Sequence, residues 1–318
     1  MFSIDTIHAA RERIAALAHR TPVLRSRTLD AQTGATLFFK AEHLQRSGSF
    51  KFRGAANAVL SLTDEQARRG VVTHSSGNHA AALALAARIR GIPAHIVIPE
   101  GTSRAKVEAV RRYGARIIPC PPTMAGREAA AERVRAETGA ELIHPYNDFR
   151  VMAGQGTAAL ELLEDVPDLD TIVVPISGGG LAAGVATAAW ALRPAIRIIG
   201  VEPAGAADAL RSLQAGTIVR EPEAATVCEG LRAFLGPLTF PVLRKHLDGI
   251  VTVADSETLA SMRLIWSVLK QVIEPSAAAA PAAVIGKRIP LSQTSRVGIV
   301  LTGGNLDFDT MPQPGDPA

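Results

Sequence analysis

From about residue 70 the chain repeats a short apolar run, a glycine-bearing turn and a longer run with helical spacing, and this rhythm constrains the fold more than any other feature. "GVVTHSS" reads as a strand, "GNHAAALALAARIRG" as a helix closed by Gly91, "PAHIVIPEG" as a second strand and "SRAKVEAVRRYG" as a helix closed by Gly114. "ARIIPC" and "AGREAAAERVRAETG" repeat the unit. A second series opens at "TIVVPISGGGLAAGVATAAWAL", continues through "RIIGVEP" and finishes with "RVGIVLTGGN". Strands alternating with helices predict parallel sheets covered by helices, because parallel neighbours need a crossover connection.

At 318 residues the chain exceeds one ordinary compact unit, so two α/β domains are expected. Residues 1–67 are too short to fold alone and are expected to join 147–318 in a large domain, leaving 68–146 as a small one. The start, "MFSIDTIHAARERIAALAHRTPVL", lacks a secretory signal's basic start and apolar run, and reads as an amphipathic helix ending near "RTP". The tail "MPQPGDPA" reads as a frayed end.

Composition narrows the class. With 47% hydrophobic and 20% charged residues the chain is globular. Its net charge of +4 is spread without a basic block and aromatics are only 4%, which argues against nucleic acid and leaves room for an anionic ligand. Cys120 and Cys228 form neither a metal spacing nor a disulfide framework. No apolar stretch reaches membrane-spanning length, so a soluble, cytoplasmic protein in a reducing compartment is expected.

Three turns and one lysine then stand out. "HSSGNHA", residues 74–80, passes from strand to helix, so the helix's free N–H groups face whatever binds there; a carboxylate or phosphate suits them. A plain capped turn would also explain the Ser and Gly, but not Asn78 and His79. In "PISGGGLAAG" three glycines remove every Cβ that would keep an anion from the backbone amides, as a phosphate cradle requires. The same stretch permits a rival: Gly178, Gly180 and Ala183 fit G-x-G-x-x-A and Glu202 ends the next strand, as in an NAD-dependent dehydrogenase. "LTGGN" again leaves a strand through glycines and offers the Thr302 hydroxyl. In "SGSFKFRGA", Lys51 lies between two aromatics on a strand or helix start. There a lysine either snorkels or is kept reactive toward carbonyls by desolvation. The dehydrogenase reading leaves it unexplained.

Eight segments in order resemble the fold-type II pyridoxal-phosphate enzymes, specifically the serine racemase and serine/threonine dehydratase family. They are "LFFKAEHLQRSGSFKFRGAANAV", "SSGNHAAALALAA", "HPYNDFRVMAGQGT", "PISGGGLAAG", "GVEPAGAADA", "CEGLRAFLGPLTFPV", "VIEPSAAAA" and "LTGGN". The resemblance implies two open twisted α/β domains, tryptophan synthase beta-like, with pyridoxal phosphate in the cleft between them. It implies that Lys51 carries the cofactor as a Schiff base, that Phe50 packs beside the ring, and that Asn78 bonds its phenolic oxygen. Ser177, Gly178, Gly179, Gly180 and Leu181 would hold the phosphate, and Thr302 would meet the pyridine nitrogen. Ser75, Ser76, Gly77, Asn78 and His79 would hold the substrate carboxylate, with Arg127 closing on it, and Ser76 would be a second catalytic group opposite Lys51. Glu202, the carbonyl of Ala206 and Asp208 match the family's spacing for Mg²⁺ or Ca²⁺. In "CEGLR", Cys228 and Glu229 depart from the family's usual residues at the substrate side.

The implied activity is loss of water from a β-hydroxy amino acid, L-threonine or L-serine, giving a 2-oxo acid and ammonia, with serine racemisation as a companion activity. Substrates such as 3-hydroxyaspartate, phenylserine or a hydroxyectoine breakdown product are the alternative. A homodimer is implied, and the short stretch after Asn305 is expected to carry no regulatory domain.

Overall fold

The computed structural model describes residues 2–220 and 224–308. The tail expected to fray lies outside them. The strands are β1 (Val23–Leu24), β2 (Thr36–Lys40), β3 (Val71–His74), β4 (Ala94–Pro99), β5 (Arg116–Cys120), β6 (Glu141–Leu142), β7 (Thr171–Pro175), β8 (Arg197–Pro203), β9 (Gly249–Val253) and β10 (Arg296–Val300). The helices are α1 (Ile4–Ile14), α2 (Arg27–Thr33), α3 (Lys51–Leu60), α4 (Asp64–Arg69), α5 (Asn78–Arg90), α6 (Arg104–Arg111) and α7 (Met124–Thr138). They continue with α8 (Phe149–Asp165), α9 (Gly180–Leu192), α10 (Asp208–Ala215), α11 (Phe240–His246), α12 (Asp255–Leu269) and α13 (Pro275–Ile285).

Among the described residues these strands form two sheets. One runs β1-β2-β10-β7-β8-β9, all parallel except edge strand β1, and the other runs β5-β4-β3-β6, all parallel. Helices cover both faces of the larger sheet: Met152, Leu160, Val185 and Ala189 pack on one side, Met262, Ile265, Ala279 and Ala283 on the other. On the smaller sheet Phe52, Ala56 and Leu83 share one core with Ile96, while Ala130 and Val134 cover the opposite face. This is the two-sheet α/β architecture that the strand–glycine–helix rhythm predicts. Gly91 and Gly114 do stand after their helices at φ +73° and +77°, a left-handed conformation that favours glycine.

The first helix is shorter than its pattern suggests. α1 ends at Ile14, well before "RTP": the chain leaves it through a turn in which the Leu17 and Ala18 N–H groups both donate to the Ile14 carbonyl, and Gln45 then holds the backbone of His19, donating to its carbonyl at 2.8 Å and accepting from its N–H at 2.9 Å.

Chain order places the loops. Both β8 and β9 lie on one side of β7 whereas β10 lies on the other, so the larger sheet reverses direction between β10 and β7. The smaller sheet reverses between β3 and β6 in the same way. Open α/β sheets bind ligands at the carboxyl ends of strands where the order reverses. The loops leaving those four strands are 301–305, 176–179, 75–77 and 143–148, and they include two of the three turns singled out from sequence on the large sheet and the third on the small one.

A buried ionic network fixes α3, the helix that Lys51 begins. The Arg53 guanidinium donates to both oxygens of Glu42 at 2.7 and 2.8 Å and to both oxygens of Glu161 at 2.7 and 2.8 Å. Lys40 adds a 2.7 Å ion pair to Glu161 and donates to the Thr21 carbonyl at 2.6 Å. Two cations thus balance two carboxylates, and β2, the turn after it, α3 and α8 are joined without leaving an unpaired buried charge.

Candidate active site

Lys51 is the first residue of α3. Its ammonium donates to the Pro145 carbonyl at 2.8 Å and lies 5.1 Å from the centre of the Phe50 ring. No carboxylate offsets its desolvation, and burial alone pushes its pKa down to about 8. The fully buried lysine, Lys40, is held by Glu161 instead. Burial also lowers its pKa, but that carboxylate opposes the shift. Of the two buried amines, Lys51 is therefore the one free to act as a nucleophile or base.

The loops after the four reversal-point strands touch one another. Tyr146, in the loop after β6, lies against the glycine turn after β7: a Cβ on Gly178 would come within 2.3–2.4 Å of its ring, and one on Gly180 within 2.9–3.0 Å of its backbone and Cβ. Gly179 takes φ +88° and backs onto Thr239 and Leu235. These glycines are thus required by their neighbours as well as by access of an anion. α9 starts at Gly180 with no side-chain cap, so its first amides are available to an acceptor. Leu181 lies buried in that first turn, and the Ser177 hydroxyl accepts from the Ala233 N–H at 3.1 Å.

On the opposite side, the loop after β10 meets the start of α5. The Phe50 N–H donates to the Thr302 carbonyl at 3.0 Å, and Thr302 is buried. Asn305 donates to Asn78 Oδ1 at 2.8 Å, and Asn78 Nδ2 donates to Glu274 Oε1 at 2.8 Å. Lys51, Phe50, Asn78, Thr302 and the glycine turn are therefore linked through the loops that leave the four reversal-point strands, where the two sheets face each other.

The turn at 75–79 leads into α5, whose N-cap Gly77 supplies no capping side chain. Ser75 accepts weakly from the Gly77 N–H at 3.4 Å, and Ser76 keeps part of its surface exposed. His79 turns its ring inward, with Nε2 3.2 Å from the Ile143 carbonyl, and burial followed by the Lys51 charge holds its pKa well below the ordinary value. A neutral ring whose N–H is already used offers an anion only its backbone amide. Arg127 lies in the first turn of α7, close enough to influence His74 and Cys120 at the carboxyl edge of the small sheet, and its Nε is buried without a partner.

Several groups at the cleft carry no signal by spacing. His144 stacks edge-on between His74 and Tyr146 at ring distances of 5.3 and 4.5 Å, with its pKa pushed down to about 4 by burial and then by His74. Burial pushes Tyr146 up to about 12. Glu274, 8% exposed, is pushed up to about 7 mainly by burial, against the Asn78 hydrogen bond. Its sequence signals are its place in "VIEPSAAAA", one of the eight resembling segments, and an acidic residue ahead of the Pro that opens α13.

Glu202 and Asp208 are both buried, at the end of β8 and the start of α10, with Ala206 between them. Both Glu202 oxygens accept backbone N–H groups, from Ala209 at 2.9 Å and Leu210 at 2.8 Å. Burial raises Glu202 to about 8 and Asp208 to about 6, and Asp208 Oδ2 has no partner. A cation would relieve that desolvation and meet the orphaned oxygen, so the oxygen donors fit one. Among the described residues no group of three or more His, Cys, Asp or Glu is gathered for a metal. Each Glu202 oxygen accepts one N–H and keeps a lone pair, so the carboxylate alone does not decide between a cation and the ribose hydroxyl of the dehydrogenase reading.

Comparison with known proteins agrees with this geometry. Residues 14–303 match the family model described as "Pyridoxal-phosphate dependent enzyme", which decides against the dehydrogenase reading. The chain is 53% identical to serine racemase of Arabidopsis thaliana over 312 residues, covering 97% of this chain and 94% of that protein. It is 47% identical to β-hydroxyaspartate dehydratase of Paracoccus denitrificans over 304 residues, covering 96% of each. The structure of maize serine racemase superposes with a TM-score of 0.95 at 50% identity, covering 97% of this chain and 95% of that one.

Proposed function

The chain belongs to the pyridoxal-phosphate-dependent enzymes, and from that premise we propose that Lys51 carries the cofactor and that the enzyme removes water from a β-hydroxy amino acid, with racemisation at Cα as a companion reaction. The observation that carries this reading is a half-buried lysine whose desolvated amine has no carboxylate partner, placed where the loops at the reversal points of the two sheets meet. The residues fit the cofactor: an amine with a lowered pKa for its aldehyde, uncapped amides at α9 for its phosphate, and Asn78 and Thr302 on the remaining sides. When bound, pyridoxal phosphate withdraws electrons from the substrate and acidifies its Cα–H.

The protein's own groups do the rest. The uncapped amides of the 75–79 turn, at the positive end of α5, hold the substrate carboxylate, with Arg127 beside the same sheet edge. Lys51 Nζ, freed when substrate takes its place, removes the Cα proton from one face. Ser76 Oγ serves the other face, so inversion at Cα needs both groups and elimination from an L-substrate needs Lys51 alone. The neutral Thr302 hydroxyl cannot hold a full proton on a ring nitrogen as an aspartate would, which favours elimination over transamination. Glu202, the Ala206 carbonyl and Asp208 would hold Mg²⁺ or Ca²⁺ away from the reacting atoms and brace the start of α10.

The relatives divide over the substrate, one being named for serine and one for β-hydroxyaspartate. A panel of L-serine, L-threonine and 3-hydroxyaspartate, read as 2-oxo acid release and as Cα inversion, decides the substrate. Release from at least one supports the proposal; absence of release and of inversion with all three, in protein loaded with cofactor, overturns it.

A further inference from the structure

Glu274 and Asn305 lie on the large-sheet side of the cleft, in the turn before α13 and the loop after β10, whereas Asn78 opens α5 behind the small sheet. The three form one chain of hydrogen bonds, Asn305 to Asn78 Oδ1 and Asn78 Nδ2 to Glu274, each 2.8 Å long. Gly303 makes room for it: a Cβ there would come within 2.6 Å of Glu274 Oε1. The Glu274 backbone is fixed too, its N–H donating to the Gly303 carbonyl at 3.0 Å.

We infer that Glu274 is a positioning residue that sets the polarity of the Asn78 amide. An amide's two ends are nearly equal in shape, so only its partners decide which end is NH₂. Once ionised, above the value of about 7 to which burial raises it, Glu274 can accept from Asn78 but not donate to it; Asn305, whose NH₂ end is fixed by a 2.7 Å bond to the Ser47 carbonyl, donates to the opposite end. Asn78 is left with one N–H to offer and is a donor toward whatever it meets in the cleft. That suits an anionic oxygen such as the cofactor's phenolate. With the amide reversed, oxygen would face oxygen.

This inference rests on the cofactor assignment, and its test separates the two. Wild-type apoprotein titrated with pyridoxal phosphate, followed by absorbance and by borohydride trapping, tests the assignment first: no bound chromophore overturns the cofactor reading itself. If wild type binds, Glu274→Leu removes the acceptor and Glu274→Gln keeps one at the same place. Loss of a hydrogen bond to a charged group is worth about 10- to 100-fold. Glu274→Leu should therefore weaken cofactor binding about 10-fold or more and shift the absorbance band, while Glu274→Gln should stay within about 3-fold of wild type. Asn305→Leu cuts the chain from an exposed loop and should by itself weaken cofactor binding and shift the absorbance band, which carries the test if Glu274→Leu does not fold. Wild-type spectra and affinity in Asn305→Leu or in a folded Glu274→Leu protein, or equal losses in Glu274→Gln and Glu274→Leu, would overturn the positioning role.

Discussion

Replacing Arg53 by Met should cost more stability than any single surface change, because one guanidinium serves two buried carboxylates. The side chain is 1% exposed and makes four bonds of 2.7–2.8 Å to Glu42 and Glu161. Without it, Glu161 keeps Lys40, but Glu42 retains only the Thr21 hydroxyl, leaving one net negative charge in the interior. Breaking a buried pair from one side costs about 3–5 kcal/mol. An unfolding entropy of about 2.1 cal/mol/K per residue, over 318 residues, is about 0.7 kcal/mol/K, so Tm should fall by about 4–8 °C. Adding Glu42→Gln should recover part of the loss by neutralising the stranded carboxylate. The sign with pH follows from Glu161: burial raises its pKa, but Arg53 and Lys40 outweigh that and hold it below its ordinary value of 4.5. Its contribution is full at neutral pH and is lost as pH falls through that lowered value. Calorimetry of wild type and both variants at pH 7 is the assay. A loss under about 1 kcal/mol, as at an exposed ion pair, refutes the reasoning.

The remaining predictions concern the cleft. Cofactor uptake by apoprotein should rise with pH and level off above about 8, the value to which burial brings Lys51; a rate still climbing tenfold per pH unit at pH 9 would mean an ordinary lysine. Ser76→Ala should abolish racemisation, a loss of about 10²- to 10⁴-fold, while L-elimination persists at a reduced rate. Equal losses in both reactions would make Ser76 a binding residue and end the two-face account. Chelation should lower Tm and Mg²⁺ or Ca²⁺ should restore it if Glu202 and Asp208 hold a cation, since a ligand bound only by the native state stabilises it; an unchanged Tm with no metal in the protein would refute a cation there.

What could be read before folding depends on how local its cause is. The strand–glycine–helix units of residues 70–138 follow from periodicity and from the positive φ at Gly91 and Gly114, both properties of a few consecutive residues. Lys51 drew notice for its apolar neighbours and sits at a helix start. The two-residue strands β1 and β6 carry too little pattern to be seen, and the backbone of His19 beyond α1 is held by Gln45, distant in sequence. Tyr146 and Glu274 were hidden for the same reason. Nothing in "HPYND" says that a tyrosine will fill the space left by Gly178 and Gly180, and Glu274 before a proline resembles any helix start. Their importance arises only when strand order brings the two reversal points together.

The central claim is that Lys51, and no other amine, bears the cofactor. Borohydride reduction of the loaded enzyme, proteolysis and mass mapping test it most directly. The account predicts one phosphopyridoxyl group, on Lys51, and none on Lys40, whose amine is committed to Glu161. A label on Lys40 or on a surface lysine, with Lys51 unmodified, would contradict it.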